Sequence, residues 1–265
     1  MAAIAIAAGV ATAACAEIGT GLQEPAAIEL PPFPSPSVVI GDTLRDVAGK
    51  VASIRAIVRN VRGDIIADAP VRFLYADNPR DSAIAVDSAS GLVRALRVAK
   101  GDARIAARVG GSLQVLRALV VTTRPDSIDG SATTSLFTTT LPDTGRTRAT
   151  TNTSPALGAT VRHIENATTV AGVNAWPVQF TIIRPANPTN DTTAAVFLVD
   201  DTGRPSTRDT TDASGLASRR VRVRAALFPT GTAVDSVIVQ ATASYRGSQL
   251  KGAPVRIALP VRRGS

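Results

Sequence analysis

A turn followed directly by an alternating strand governs what this chain can become, and it occurs twice. Residues 211–223 read Thr-Asp-Ala-Ser-Gly-Leu-Ala-Ser-Arg-Arg-Val-Arg-Val, and a weaker copy occupies residues 87–98, about half a chain earlier. Asp and Ser side chains bond their own backbone, Gly215 and Gly91 take positive φ without steric cost, and the period-two pattern that follows suits a strand buried on one face. Such a unit is a β-turn, not a catalytic loop.

The 265 residues leave room for about two domains, each able to bury its own core. Aromatic residues make up only 3 %, so those cores are built from Ala, Val, Ile and Leu, which suits thin β-sandwiches. The formal charge is +8 and nearly all of it is arginine, with lysine only at Lys50, Lys100 and Lys251. A basic balance fits nucleic acid, anionic lipid or acidic polysaccharide as partner, or simply arginine on solvent faces.

Residues 1–14 are a continuous apolar and small-residue run, shorter than a membrane span and suited to a signal-peptide core. The run ends at Ala13-Ala14-Cys15, which resembles the lipobox of bacterial lipoproteins, although Thr12 stands where an aliphatic residue is more usual. Cys15 is the only cysteine and has no disulfide partner within the chain, so it is the expected lipidation site. Residues 15–37 carry Pro25, Pro31, Pro32, Pro34 and Pro36 and read as an extended spacer.

From residue 38 strand signals recur at sandwich spacing. Ala52, Ile54, Ala56 and Val58 share a face, as do Val71, Phe73 and Tyr75, and then Ile105, Ala107 and Val109. Residues 38–124 are therefore one antiparallel sandwich. Residues 125–150, rich in Thr, Ser, Asp and Gly, read as a linker with an edge strand near residues 135–141. A second series over residues 151–265 repeats the first in order: Pro177-Val178-x-Phe180 answers Pro70-Val71-x-Phe73, the Asp212 turn answers the Asp87 turn, and a Gly-Ser hairpin precedes the final strand in each.

Ile84-Ala85-Val86-Asp87 with Gly91-Leu92-Val93, and Thr211-Asp212-Ala213-Ser214-Gly215-Leu216-Ala217, resemble the bacterial immunoglobulin-like domains of surface lipoproteins and of invasin- and intimin-type adhesins. The resemblance implies two tandem immunoglobulin-like β-sandwiches, an all-β fold, acting as spacers or presenting tip loops to partners. It brings no catalytic residues with it.

The chemistry expected of the chain is correspondingly sparse. One histidine, His163, cannot complete a triad or a zinc site by itself, and reads as a surface or structural residue. Neither Gly-x-Ser-x-Gly nor Ser-x-x-Lys stands out. No enzyme activity and no cofactor are expected. Asp200, Asp201, Asp209 and Asp212 are a weak calcium candidate, set against their ordinary use in turns. Arg220, Arg222 and Arg224 alternate with Val221 and Val223, which puts three guanidinium groups on one strand face able to meet a polyanion. Specific nucleic-acid binding is not expected, since neither stacking aromatics nor a groove-entering helix accompanies them. The sequence thus predicts an exported protein, lipid-anchored at the outer membrane or cell surface, whose domains serve as a structural spacer or adhesion module with a surface protein as partner. The alternative is a binding protein for an anionic glycan or lipopolysaccharide.

Overall fold

The computed structural model describes residues 24–77, 82–99, 101–111, 113–130, 134–139, 152–166, 170–224 and 234–264. The expected signal peptide and Cys15 lie outside these residues. No α-helix occurs among the described residues, and none of them forms a helix long and apolar enough to cross a membrane.

The first unit contains β1 (Ala27–Glu29), β2 (Ser37–Val39), β3 (Ile57–Arg59), β4 (Arg72–Tyr75), β5 (Ile84–Val86), β6 (Val93–Ala95), β7 (Ala103–Val109) and β8 (Leu113–Thr122). Four of them form a sheet in the order β2-β8-β7-β4, while β1 pairs with β3 and β5 with β6. Val38, Phe73, Ile105, Ala107 and Leu119 from the sheet meet Leu30, Leu44, Ile54, Ile84 and Val93 in one buried cluster.

The second unit contains β9 (Ser127–Gly130), β10 (Phe137–Thr139), β11 (Leu157–Ile164), β12 (Val170–Gly172), β13 (Pro177–Arg184), β14 (Val196–Val199), β15 (Arg208–Thr210), β16 (Leu216–Val223), β17 (Val234–Thr242), β18 (Ser244–Tyr245), β19 (Ser248–Gln249) and β20 (Val255–Arg263). One sheet runs β10-β20-β17-β13-β15; the other runs β12-β11-β16-β14, with β9 also on β11.

Strand order shows the repeat more directly than residue identity does. Each unit has a sheet that starts with a short strand parallel to the unit's last long strand, β2 beside β8 and β10 beside β20, followed by antiparallel neighbours. The register repeats too, since Phe73 faces Ala107 and Phe180 faces Ala241, a large ring over a small neighbour in each core. With β9, β11, β16 and β14 opposite β20, β17 and β13, the second unit has the two-sheet order of an immunoglobulin-like sandwich.

Two boundaries differ from the sequence reading. The stretch 15–37 is not all spacer: β1 pairs with β3 and Leu30 is buried in the first core, so the prolines at 31, 32, 34 and 36 mark where the chain passes from one sheet to the other. Proline, lacking an N–H, suits that passage. The stretch 125–150 is not all linker: β10 lies on β20 where the sequence predicts an edge strand, and in addition β9 pairs with β11 and Ile128 lies in the second core. Strands of three or four residues carry too little alternation to stand out in a sequence.

The turn unit is commoner than its two obvious copies. Asp46, Asn60, Asp200 and Asp212 each accept the backbone N–H groups two and four residues on with one side-chain oxygen, and a glycine three residues on has φ near +80°. Asp87 makes a version one residue longer. At Gly215 two demands coincide, since φ is +83° and a Cβ there would collide with the Val161 carbonyl and the Gly172 backbone.

Candidate site between the two sandwiches

Where the first unit leaves β2 it touches the second. Ser37 donates its hydroxyl to the Ala175 carbonyl at 2.7 Å in a buried position, and Val39 packs in the core cluster of the second unit. A few residues on, Asp42 is only 6 % exposed and ties four groups together. Thr43 N–H and Arg45 Nη2 donate to its Oδ1 at 2.8 and 3.0 Å; Arg45 Nε, the Tyr245 hydroxyl and Arg246 Nε donate to its Oδ2 at 2.9, 2.7 and 3.0 Å. Tyr245 and Arg246 belong to the β18–β19 hairpin, so this carboxylate joins the two sandwiches.

Burial works against the charge on Asp42, but the bonds from Arg45, Arg246, Tyr245 and Thr43 outweigh it and hold the carboxyl well below the usual carboxylate range. Burial and the neighbouring Asp42 push the Tyr245 hydroxyl up, so it stays a donor. Trp176 meets Tyr245 edge to face, with ring centroids 5.9 Å apart at 71°. Gly49 lies so close to Arg246 and Gly247 that a Cβ would strike their backbone. Beside these contacts a cleft of about 380 Å³ opens, lined among others by Ser35, Arg45, Trp176, Gln179, Arg208 and Tyr245.

The arrangement can hold two domains together, and it is poorly suited to proton transfer. A carboxylate depressed this far and saturated with donors is a weak base at neutral pH. Among the described residues no group of three or more His, Cys, Asp or Glu side chains is placed to hold a metal ion.

The weak calcium candidates each have a protein partner of their own. Asp200 and Asp212 serve their own turns, and these bonds keep both carboxyls below the usual range. Asp201 pairs with Arg220 at 3.0 Å, and Asp209 pairs with Arg219 at 3.0 Å and accepts from Ser218 N–H. Arg220 and Arg222 do face away from the buried Val221 and Val223, as the alternation implies, with Arg224 following just past β16. Each is engaged locally: Arg220 with Asp201, Arg222 with Thr153 at 3.4 Å, and Arg224 with the Thr192 carbonyl and over the Phe197 ring at 5.7 Å.

His163 Nδ1 lies 2.8 Å from both the Asp126 carboxylate and the Arg124 carbonyl. Both are acceptors, so Nδ1 carries the proton, and the ring pins residues 124–126 to β11. Two features escaped the sequence reading. The Asp42–Tyr245 contact joins residues 203 apart in the chain, and no local pattern announces it. Arg219 shares the inward parity of Val221 and is accordingly buried, at 8 %, where it closes the edge between the two sheets by reaching Asp209 on β15. Its inward parity was legible, whereas its partner was not.

No family model matches the chain, and no curated protein matches its sequence. Among solved structures, the D00-D0 domain of intimin aligns over 89 % of this chain and 98 % of its own at 14 % identity, with a TM-score of 0.26. The adhesin InvE of Yersinia pseudotuberculosis aligns over 88 % of this chain and 58 % of its own at 16 % identity and a TM-score of 0.31. Domains 1–6 of the surface layer protein SbsC align over 90 % of this chain and 28 % of their own at 10 % identity and a TM-score of 0.30. The immunoglobulin-like arrangement is carried by this chain's own strand order and register.

Proposed function

We propose that this chain is a non-enzymatic, exported protein, lipid-anchored through Cys15, whose tandem immunoglobulin-like sandwiches form a stiff spacer or adhesion module at a cell surface or in the periplasm. The observation that supports it is the junction: Val39 in the core of the neighbouring unit and Asp42 bonded to Tyr245 and Arg246 resist bending where a flexible tether would yield. The turns spend their carboxylates on their own backbone, which stiffens the loops instead of equipping a reaction. The alternative of an anionic-glycan receptor on Arg220, Arg222 and Arg224 is less well supported, because all three already have neighbours to hold.

Fractionation of the source cells tests the reading. The mature chain should begin at Cys15 with added acyl mass, sediment with membranes, and move to the soluble fraction in Cys15→Ser. An unmodified chain in the cytosol would overturn it.

A further inference from the structure

The outer face of the first sheet carries an arrangement that the spacer role does not use. In register across three strands, Leu74 on β4 faces Ala106 on β7, which faces Leu116 on β8. Leu74 is 37 % and Leu116 49 % exposed, while Ala106 between them is covered, so the row is one continuous apolar strip. Two residues along the strands, about 7 Å away, Arg72 sits directly opposite Arg108. Two residues the other way is Arg104.

The Arg72–Arg108 pair is the anomaly. Like charges directly opposite on a sheet face destabilise it. Arg104 has Asp77 at 2.5 Å, but among the described residues no carboxylate pairs with Arg72 or Arg108; Arg108 Nε reaches only Gln114 Oε1, at 2.5 Å. The site therefore presents two uncompensated guanidinium groups beside an apolar strip.

We propose that this face docks an acidic protein segment that places apolar side chains between carboxylates. The complement is read from the surface: carboxylates to the Arg72–Arg108 pair, where a guanidinium fork bonds them in bidentate fashion, and apolar side chains over Leu74 and Leu116. The free arginine pair flanks the strip on one side, and the ion-paired Arg104 on the other. A protein segment supplies carboxylates and apolar side chains next to each other, whereas a glycan has no use for the leucines. The inference goes beyond the spacer role and does not depend on lipidation.

The test uses the full chain and fluorescence anisotropy with a labelled Glu-Leu-Val-Leu-Glu peptide. Its comparators are Gln-Leu-Val-Leu-Gln, Glu-Ser-Thr-Ser-Glu, heparin, and phosphatidylglycerol–phosphatidylcholine vesicles. The first peptide should bind; either change to the peptide, Arg72→Ser with Arg108→Ser, or Leu74→Ser with Leu116→Ser should each weaken it by about tenfold or more. Arg220→Ser should leave it unchanged. Leu74→Thr with Leu116→Thr, which keeps β-propensity, guards against a folding defect and should weaken binding likewise. The proposal is overturned if no acidic–apolar peptide binds at about 1 mM, if the two comparator peptides bind equally well, or if heparin or vesicles bind more tightly and independently of the leucines.

Discussion

Tyr245 donates its hydroxyl to Asp42 at 2.7 Å across the boundary between two sandwiches. Arg45 grips the same carboxylate through Nε and Nη2 from the first unit, and Arg246 grips it from the second. A single residue therefore carries bonds on which the relative placement of the units depends. Removing it should cost more than removing any one of its partners. Asp42→Ala is expected to destabilise the chain by about 2–3 kcal/mol, since buried donors are left behind, and Tyr245→Phe by about 1 kcal/mol. Urea titration of both variants measures this, and equal effects would argue against Asp42 as the hub.

The same carboxylate sets an acid limit. Its folded pKa lies below that of the unfolded chain, about 3.9, so the stabilisation is present above that value and is lost as pH falls through and below it. The gap in melting temperature between the parent chain and Asp42→Asn should be constant from pH 7 to about 5 and shrink below about 4. A gap that grows on acidification has the wrong sign.

Gly215 and Gly63 separate two reasons for glycine. Both have φ above +80°, but a Cβ at Gly63 meets nothing within 4 Å whereas one at Gly215 meets the Val161 carbonyl and the Gly172 backbone. Gly63→Ala should cost about 1 kcal/mol from backbone strain alone, and Gly215→Ala distinctly more, about 2–4 kcal/mol. Chemical denaturation of the two variants gives the comparison directly.

These glycines also show what the sequence makes legible. An Asx residue, two or three others and a glycine form a local rule, so the turns at Asp87 and Asp212 are readable because every participant lies within a few residues. The alternation of β16 is equally local, and it places Val221 and Val223 inward and Arg220 and Arg222 outward correctly. Strands of three or four residues such as β1 and β9 take their identity from a neighbour far along the chain, so composition makes them look like spacer and linker. Asp42 resembles any other loop aspartate until Tyr245 arrives, and Arg72 and Arg108 become a pair only through the register of β4 on β7.

Arg219 closes the sandwich edge as a buried ion with one uncompensated nitrogen, Nε. Arg219→Ala should destabilise by about 2–4 kcal/mol because Asp209 loses its partner, whereas Arg219→Met together with Asp209→Leu should recover much of that loss. Thermal melts of the single and double variants measure it. A double variant as unstable as Arg219→Ala would mean that the charges themselves are needed.

Calcium should leave the chain unaffected. Asp200, Asp201, Asp209 and Asp212 accept from their own turns, from Arg220 or from Arg219, and among the described residues no three such side chains are grouped to hold a metal ion. A ligand bound to the folded state alone raises the melting temperature with concentration, so equal melting temperatures in excess Ca²⁺ and in chelator are expected. A calcium-dependent rise abolished by Asp212→Ala would restore the acidic residues as a metal site.

The two sandwiches should behave as one stiff body held at Asp42. The most direct measurement is the distance distribution between spin labels at Arg62→Cys and Arg204→Cys, exposed positions in turns of the first and second units, in a Cys15→Ser background that removes the natural thiol. A single narrow distribution that broadens in Asp42→Ala is the predicted result. A distribution already broad in the presence of Asp42, and unchanged by its removal, would contradict the account.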